Sequence, residues 1–413
     1  MSKAVLACTV AIVGGGVAGL ALATELKRRG LDDIVVLERE KTAGGAPRHC
    51  GHYPFGVLEL KRLLKGPDYA RALVLKAKEA GVRILTRTTV TALHENARLD
   101  LLTPEGIASL QAERVVLCTG VRESSRAQRL LGGQRPLGVM STGALQSMVY
   151  LYGQRPFQRP VILGTELVSM SAIMTCRHLG MRPRAMIEEN KRVTVRQFLR
   201  PFPAIMGVPV MFGVTNLRIL GETTVEAIEY SDGKGVPRRI ETDGVIVSGR
   251  FRPESALLST SHLEIDRATG GPSVDQYGRA SDPGYFCTGN ILRPVETSSW
   301  CWHEAVACAA RIERDLAEPL VEASSTPLVS ADSAIRFVVP QRLVSAHQPG
   351  AMEHMQIRLS QPARGRLSIT SNGQPLFEKS LNSRPERRIL APLAPILKAG
   401  LSAPVKLQIL RNS

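Results

Sequence analysis

The 413-residue sequence is poor in aromatic side chains, which make up 4% of it. Proteins that bind single-stranded nucleic acid stack bases on aromatic side chains set among basic ones, and no Lys/Arg-rich run interleaved with aromatics occurs. No nucleic-acid partner is therefore expected. The seven cysteines include no C-x-x-C pair. That spacing is typical of zinc sites and iron–sulfur clusters, so no metal site is predicted.

The sequence also has little that could cross a membrane. The stretch from Ala4 to Leu26 carries no charge until Glu25, but three consecutive glycines lie at its centre. A buried strand and helix explain it better than a signal peptide or a membrane span. With scattered thiols and no other apolar span, we expect a cytoplasmic protein without an integral membrane segment.

Positive charge is abundant. The formal net charge is +16 and the isoelectric point is near 9.9. Basic surfaces favour acidic partners, so a small anionic substrate is expected. The chain is too long to fold around a single hydrophobic core, so two or three domains are predicted.

The chain opens with a strand, a G-x-G-x-x-G turn and a helix, and a second strand ends at Glu38. Gly14 permits the tight turn, Gly16 lets the backbone approach a pyrophosphate, and Gly19 lets the helix lie close to the sheet. The helix N-terminus offers unpaired N–H groups to phosphates, and Glu38 can accept hydrogen bonds from ribose hydroxyls. This unit predicts a bound dinucleotide.

Later segments repeat and then abandon this pattern. Strands are predicted at Ile107–Leu110 and Arg114–Cys118, and a second strand–helix–strand unit begins near Pro160 and ends at Glu188. A helix is predicted from His303 to about Leu316. A Ser/Pro/Ala-rich linker over 318–333 precedes short alternating runs typical of a small β-sandwich.

Three signals follow in a fixed order: the glycine turn, a strand ending in Thr119-Gly120, and a strand ending in Gly289-Asn290. This order resembles the two-dinucleotide-binding-domain flavoproteins, the class of thioredoxin reductase and glutathione reductase. The resemblance implies an α/β fold in which an FAD-binding Rossmann-like domain (1–125 and 266–322) contains an inserted second Rossmann-like domain (126–265). A C-terminal all-β domain (333–413) would follow.

Segments 44–56, 138–146 and 289–297 resemble more closely the FAD subunits of hydrogen cyanide synthase, opine oxidase and dye-linked proline or hydroxyproline dehydrogenases. Such relatives often pair with a second flavoprotein subunit, which implies a hetero-oligomer. They also often end in a cysteine-rich iron–sulfur domain, whereas this chain has no cysteine after Cys308.

The resemblance places FAD against several parts of the chain. The helix that begins at Trp300 and Cys301 would direct its N-terminal dipole at the flavin, with Thr297 or Ser298 as its N-cap. Asn290 stands where the class usually has Asp. The expected FAD-binding residues are Gly14, Gly16, Gly19, Glu38, Arg39, Gly45, Arg48, Thr119, Gly120, Gly289, Asn290, Trp300 and Cys301.

The candidate catalytic residues are His49, Cys50 and His52, in the loop that would lie near the flavin. Either histidine could act as a general base or stabilise anionic flavin, and either could be a purely structural loop residue. Cys50 has no second cysteine before Cys118, so a dithiol relay is disfavoured.

The function expected is that of an FAD-dependent oxidoreductase: a dehydrogenase subunit that oxidises a small amino acid, amine or hydroxy acid by hydride transfer to flavin N5, or relays electrons from it. One alternative is an NAD(P)H-dependent flavin reductase. Residues 164–169 oppose it, because Glu166 stands where the second turn needs glycine and would repel phosphates. A second alternative is a non-catalytic flavin-binding assembly subunit.

Overall fold

The structure is a computed structural model that describes residues 4–319, 325–345, 349–400 and 403–411. It divides into two compact units. The first unit comprises the described residues of 1–45, 72–121 and 252–413, and the second comprises 46–71 and 122–251.

The helices and strands are numbered in chain order. Up to residue 117 they are β1 (Ala4–Val13), α1 (Val17–Arg28), β2 (Ile34–Leu37), α2 (Gly66–Glu79), β3 (Arg83–Leu85), β4 (Thr89–His94), β5 (Arg98–Thr103) and β6 (Gly106–Leu117). From 121 to 253 they are β7 (Val121–Glu123), β8 (Gly132–Gly133), β9 (Val139–Ser141), α3 (Thr142–Tyr152), β10 (Val161–Leu163), α4 (Leu167–His178), β11 (Ala185–Glu188), α5 (Phe202–Ile205), β12 (Val210–Phe212), β13 (Thr215–Leu220), β14 (Ala227–Ser231), β15 (Pro237–Glu241), β16 (Val245–Val247) and β17 (Phe251–Pro253). Beyond 253 they are β18 (Tyr285–Cys287), α6 (Ser298–Ala317), β19 (Ser325–Ser330), β20 (Ile335–Val339), β21 (Arg342–Val344), β22 (His354–Leu359), β23 (Ala363–Ser371), β24 (Gln374–Ser383), β25 (Ile389–Pro392), α7 (Ala394–Lys398) and β26 (Val405–Leu410).

The first unit is built on a seven-stranded sheet. Strands β3, β2, β1 and β6 are parallel neighbours in that order, and β18 is parallel to β6. The run from Val10 to Ile12 in β1 is fully buried, as expected for a central strand covered on both faces. Helix α1 packs against α6. The carboxyl ends of β1 and β6 therefore meet the start of α1 at one edge of the sheet.

Strand β6 is a single element where the sequence predicted two. It pairs with antiparallel β5 over residues 106–111 and with parallel β18 over 115–117. Strand β1 pairs with both halves, but the neighbour on the other side changes. The alternating half and the buried half therefore look like separate strands in the sequence.

The second unit contains a parallel sheet in the order β12-β11-β10-β16-β9. It also contains a four-stranded sheet in which β13, β14 and β15 are antiparallel and β8 pairs with β13 at the edge. The strand–helix–strand unit predicted near Pro160 is present as β10, α4 and β11. Its sheet is a second Rossmann-like sheet, carried by a segment inserted between the first unit's residues 121 and 252.

The C-terminal residues form two sheets, β21-β19-β26-β23-β24 and β20-β22-β25. They share a core that includes Leu367, Ile369, Leu407 and Met355. Strand β19 lies inside the segment 318–333 that the sequence predicted as a linker. It pairs with β26 and β21 and buries Thr326 and Leu328 despite its Ser/Thr/Pro-rich composition.

The predicted fold class, α/β with two Rossmann-like sheets and a C-terminal β domain, is confirmed. The predicted domain boundaries stay predictions. Among the described helices, none has both the length and the apolar character needed to cross a bilayer.

A core truncation in the C-terminal sheets should be costly. Leu407 is 0% exposed and Leu410, on the same strand, is 37% exposed. We expect Leu407→Ala to lower the free energy of unfolding by about 2–5 kcal/mol, because it leaves a cavity. Leu410→Ala, the matched control, should change it by less than about 0.5 kcal/mol. Urea unfolding measures both, and equal losses would contradict the described core.

Candidate functional site

In the glycine turn of the first unit, Gly14 and Gly19 lie directly against neighbouring backbone atoms. Gly14 has φ +108°, and a β-carbon there would lie 2.6 Å from the Cys118 carbonyl oxygen. A β-carbon on Gly19 would lie 2.0 Å from the Gly14 carbonyl oxygen. Any side chain at these two positions would force the strand, turn and helix apart.

Beyond the turn, the N-terminus of α1 carries no obstructing side chain. Its N-cap is Gly16, no side chain caps it, and no acidic residue occurs in its first turn. A β-carbon on Gly16 would have Gly45 Cα, at 3.8 Å, as its nearest neighbour. The positive end of the helix dipole is thus left for an external anion.

Glu38 closes the same site from the end of β2. Its Oε2 accepts a hydrogen bond from Gly15 N at 3.0 Å and its Oε1 accepts one from Glu40 N at 2.9 Å. The carboxylate is 7% exposed and is held beside the turn. A carboxylate has about four acceptor positions, so it keeps acceptor capacity for ribose hydroxyls. Arg39, the next residue, is exposed and lies 4.0 Å from Glu40.

The residues of this turn fit the pyrophosphate and ribose of FAD. A dinucleotide requires a space free of side chains in front of the helix, here called the seat and formed by Gly16 and Gly45. It also requires a helix N-terminus with no acidic residue and a fixed carboxylate. When bound, FAD supplies the exchange of electrons, and the chain supplies binding and charge.

The two other predicted turns belong to the same unit. Thr119 Oγ1 donates to the Glu254 carbonyl at 2.9 Å, and a β-carbon on Gly120 would meet nothing within 4 Å. Gly289 approaches α1 so closely that a β-carbon would lie 2.7 Å from Ala18 Cβ. The amide of Asn290 is used within its own loop: its Oδ1 accepts from Glu296 N at 2.7 Å and its Nδ2 donates to the Glu296 carbonyl at 3.1 Å.

Helix α6 begins at Ser298, five residues before the start predicted at His303 and two before the start that the resemblance implied at Trp300. Thr297 is its N-cap, one of the two alternatives predicted. Trp300 carries the Arg388 guanidinium over its ring at 3.4 Å from the centroid, and its Nε1 is buried without a hydrogen-bond partner among the described residues. Cys301 is buried, which raises the pKa of its thiol to about 12. That thiol is therefore protonated at neutral pH and unsuited to nucleophilic chemistry.

A charged cluster that sequence reasoning missed surrounds the start of α6. The carboxylate of Glu296 is 6% exposed and pairs with Arg358 and Arg388 of the C-terminal sheets. A buried carboxylate with two guanidinium partners resists separation strongly, because breaking either pair leaves a buried charge. These pairs span 62 and 92 residues of sequence, so no local pattern could have predicted them.

Glu304, in the second turn of α6, extends the cluster. It accepts hydrogen bonds from Gly289 N at 3.2 Å, Arg293 Nη1 at 3.0 Å and Gln356 Nε2 at 3.0 Å. Glu304 therefore connects Gln356 of the C-terminal sheets by hydrogen bonds to the loop that carries Gly289 and Asn290.

The predicted catalytic loop belongs to the second unit. Arg48, His49 and Cys50 lie in and directly after a short 3₁₀ turn, Ala46–His49, and His52 follows. The structure thus assigns these four residues to a different unit from the glycine turn. Their expected roles remain predictions.

The thiol of Cys50 donates weak hydrogen bonds to two oxygen atoms. Its Sγ lies 3.3 Å from the Ala46 carbonyl and 3.8 Å from Gln146 Oε1. Burial, with a contribution from the charge of Glu123, raises the pKa of this thiol to about 12. The side chain is a protonated loop thiol at neutral pH, which weakens its case as a nucleophile.

The two histidines differ. Burial, helped by the neighbouring charge of Arg48, lowers the pKa of His49 to about 4. His49 is therefore neutral at physiological pH and a weak general base. His52 places Nδ1 3.0 Å from the Tyr53 carbonyl, which favours the tautomer that donates there.

Comparison with known proteins gives a consistent result. Residues 8–309 match the model of the family described as pyridine nucleotide-disulphide oxidoreductase. The chain is 28% identical over 328 residues to the ferredoxin reductase component of chlorobenzene dioxygenase from Cupriavidus sp. (strain PS12), covering 74% of this chain and 75% of that protein. It is 26% identical over 341 residues to the ferredoxin--NAD(+) reductase subunit of the benzene 1,2-dioxygenase system of Pseudomonas putida, covering 77% and 78%.

Solved structures agree at the level of the fold. The crystal structure of T. acidophilum thioredoxin reductase matches with a TM-score of 0.63 at 20% identity, covering 76% of this chain and 99% of that one. L-proline dehydrogenase from P. horikoshii matches with a TM-score of 0.57 at 18% identity, covering 77% and 57%.

The glycine turn can be tested by putting a carboxylate into it. We expect Gly16→Glu to weaken FAD binding by about tenfold or more, because like charges brought together at a binding site cost several kcal/mol. Gly16→Gln is the matched control, since it adds a side chain of the same size without the charge and should weaken binding less. Flavin content and FAD titration of the apoprotein measure the effect. Full flavin occupancy in Gly16→Glu would contradict the assigned seat.

The pKa of His49 predicts a pH-dependent stability. The folded-state pKa is about 4 and the ordinary value is 6.5, so the unfolded chain takes up a proton first as the pH falls. Stability should therefore decrease between about pH 6.5 and pH 4 through this group. Urea unfolding across that range should show a smaller decrease for His49→Gln than for the parent. Parallel profiles would contradict the lowered pKa.

Proposed function

The chain belongs to the pyridine nucleotide-disulphide oxidoreductase family, and on that premise we propose that it is the electron-relay component of a multicomponent oxidoreductase. It is an FAD-dependent oxidoreductase, as its family membership and relatives establish. The broad class predicted from the sequence is confirmed. The finer resemblance to subunits of hydrogen cyanide synthase and opine oxidase stays a prediction.

The observation that carries the proposal is the lack of a dithiol in the loop after the glycine turn. Cys50 has no second cysteine before Cys118, and its thiol has a pKa raised to about 12. Reduction of a disulfide needs an attacking thiolate and a resolving thiol. Electrons must then pass from FAD to an external acceptor rather than through an internal disulfide.

The relatives support a protein carrier as that acceptor. Two of them are named as reductase components or subunits for ferredoxin within dioxygenase systems. The described C-terminal residues from 325 onward carry 12 Lys/Arg against 4 Asp/Glu. This positive field would attract a small acidic redox protein and accelerate its encounter.

We further propose that the electrons come from a small anionic amino or hydroxy acid, oxidised by this chain or by a companion flavoprotein in a hetero-oligomer. The basic composition supports an anionic donor. A second candidate is an NAD(P)H-dependent flavin reductase, which the names of the relatives support better than the first: they are ferredoxin reductases, and the Pseudomonas putida relative is named as a ferredoxin--NAD(+) reductase. Both candidates share the same outgoing step and differ in the donor.

The outgoing step can be tested without knowing the donor. The purified holoprotein is photoreduced without oxygen and mixed with an oxidised [2Fe–2S] ferredoxin or, separately, with oxidised thioredoxin. We expect the flavin to be reoxidised by ferredoxin, more slowly as salt screens the attraction, and not by the disulfide. Reduction of thioredoxin with ferredoxin left oxidised would contradict the proposal.

The donor is then identified by anaerobic titration with proline, hydroxyproline, glycine, glycerol-3-phosphate, NADH and NADPH. Bleaching by an amino or hydroxy acid supports the first candidate. Bleaching by a nicotinamide alone supports the second. If no donor bleaches the flavin and ferredoxin does not reoxidise the photoreduced flavin, the chain is a flavin-binding assembly subunit and the proposal is wrong.

A further inference from the structure

The second unit has its own dinucleotide-type turn, and its backbone closely resembles the first. Gly164 has φ +110°, against +108° for Gly14. Each of these glycines opens the turn after a central parallel strand. The N-cap positions of the two helices that follow, Gly16 of α1 and Glu166 of α4, both have extended backbones without a side-chain cap. The two turns differ in what stands in front of the helix.

In the second unit, the side chain of Glu166 occupies that space. It extends from the start of α4 to the end of β16, where its Oε1 accepts a hydrogen bond from Arg250 N at 2.9 Å. It lies so close to Gly249 that a β-carbon there would be 2.4 Å from Glu166 Cδ. At Gly16 the equivalent space is open, with the nearest atom 3.8 Å from an added β-carbon.

The surroundings of Glu166 act on its carboxylate in opposite directions. Its Oε1 accepts a backbone N–H, as a bound phosphate oxygen would. Arg129, which donates to the Ser248 carbonyl at 2.9 Å, is a nearby cation. Arg129 and Arg250 both act electrostatically on Glu166, although burial is the larger influence and raises its pKa.

The carboxylate that would hold the ribose is also engaged. Glu188, at the end of β11, accepts hydrogen bonds from Thr165 Oγ1, Asn190 N and Asn190 Nδ2. Thr165 stands where the first turn has Gly15, so a side chain takes up acceptor capacity that Glu38 keeps. The residues of this turn therefore do not fit an NAD(P)H dinucleotide.

We infer that the side chain of Glu166 fills the pyrophosphate position of the second unit and excludes dinucleotides from it. The unit keeps the architecture of a nucleotide-binding domain and satisfies its anion seat internally. The inference rests on the proposed function only for its consequence, that the electron donor is not a nicotinamide bound at this turn. Glu166 is thus a specificity-determining residue.

The test is gain of binding. Isothermal titration of the holoprotein with NADH, NADPH and ADP-ribose should give weak or no binding for the parent. For Glu166→Gly it should give affinity about tenfold higher or more, because the variant removes both the bulk and the like charge. Glu166→Gln removes the charge and keeps the bulk, so its gain should be smaller. Glu222→Gly, at an exposed position of the same unit, is the control and should gain nothing.

Flavin content and the circular dichroism spectrum of each variant, compared with the parent, verify that both units still fold. Tight binding of NADH or NADPH by the parent, or no gain in a folded Glu166→Gly, would overturn the inference. The titration is independent of electron transfer to ferredoxin. Gain of binding with failed ferredoxin reduction would leave the inference standing and the proposed function refuted, and the reverse pair of results would do the opposite.

Discussion

The account depends on one constraint: an anion can reach the positive end of a helix only where no side chain stands before it. At α1 the N-cap is Gly16, and the Gly45 backbone forms the opposite side of the seat. Glu38 holds the turn through Gly15 N and remains able to accept from a ribose. FAD binding, and with it every oxidoreductase function discussed above, follows from that open space.

The second unit shows how one side chain reverses the use of the same backbone. The side chain of Glu166 stands before α4 where the first unit has an open space, and its Oε1 accepts the Arg250 N–H. A domain can therefore keep a dinucleotide-binding fold without the ligand, because fold and site are separable. Under the proposed function, this separation lets a chain of this family resemble nicotinamide-dependent reductases and take electrons from another donor.

Local signals in the sequence predicted what local physics decides: the glycine turn, the strand–helix–strand unit ending at Glu188, and an N-cap at Thr297 or Ser298, of which the structure has Thr297. Long-range pairing decided the rest. Strand β6 changes neighbours along its length, β19 forms a strand from a linker-like composition, and Glu296 finds its arginines far along the chain. No periodicity encodes those contacts. The low pKa of His49 likewise arises from burial, which the sequence of a loop does not reveal.

The most direct measurement is the absorbance spectrum of the purified chain, followed by quantification of the cofactor released on denaturation. The account predicts a yellow protein with roughly one FAD per chain, as expected for an intact dinucleotide turn. A colourless protein that also fails to take up FAD when reconstituted would contradict it.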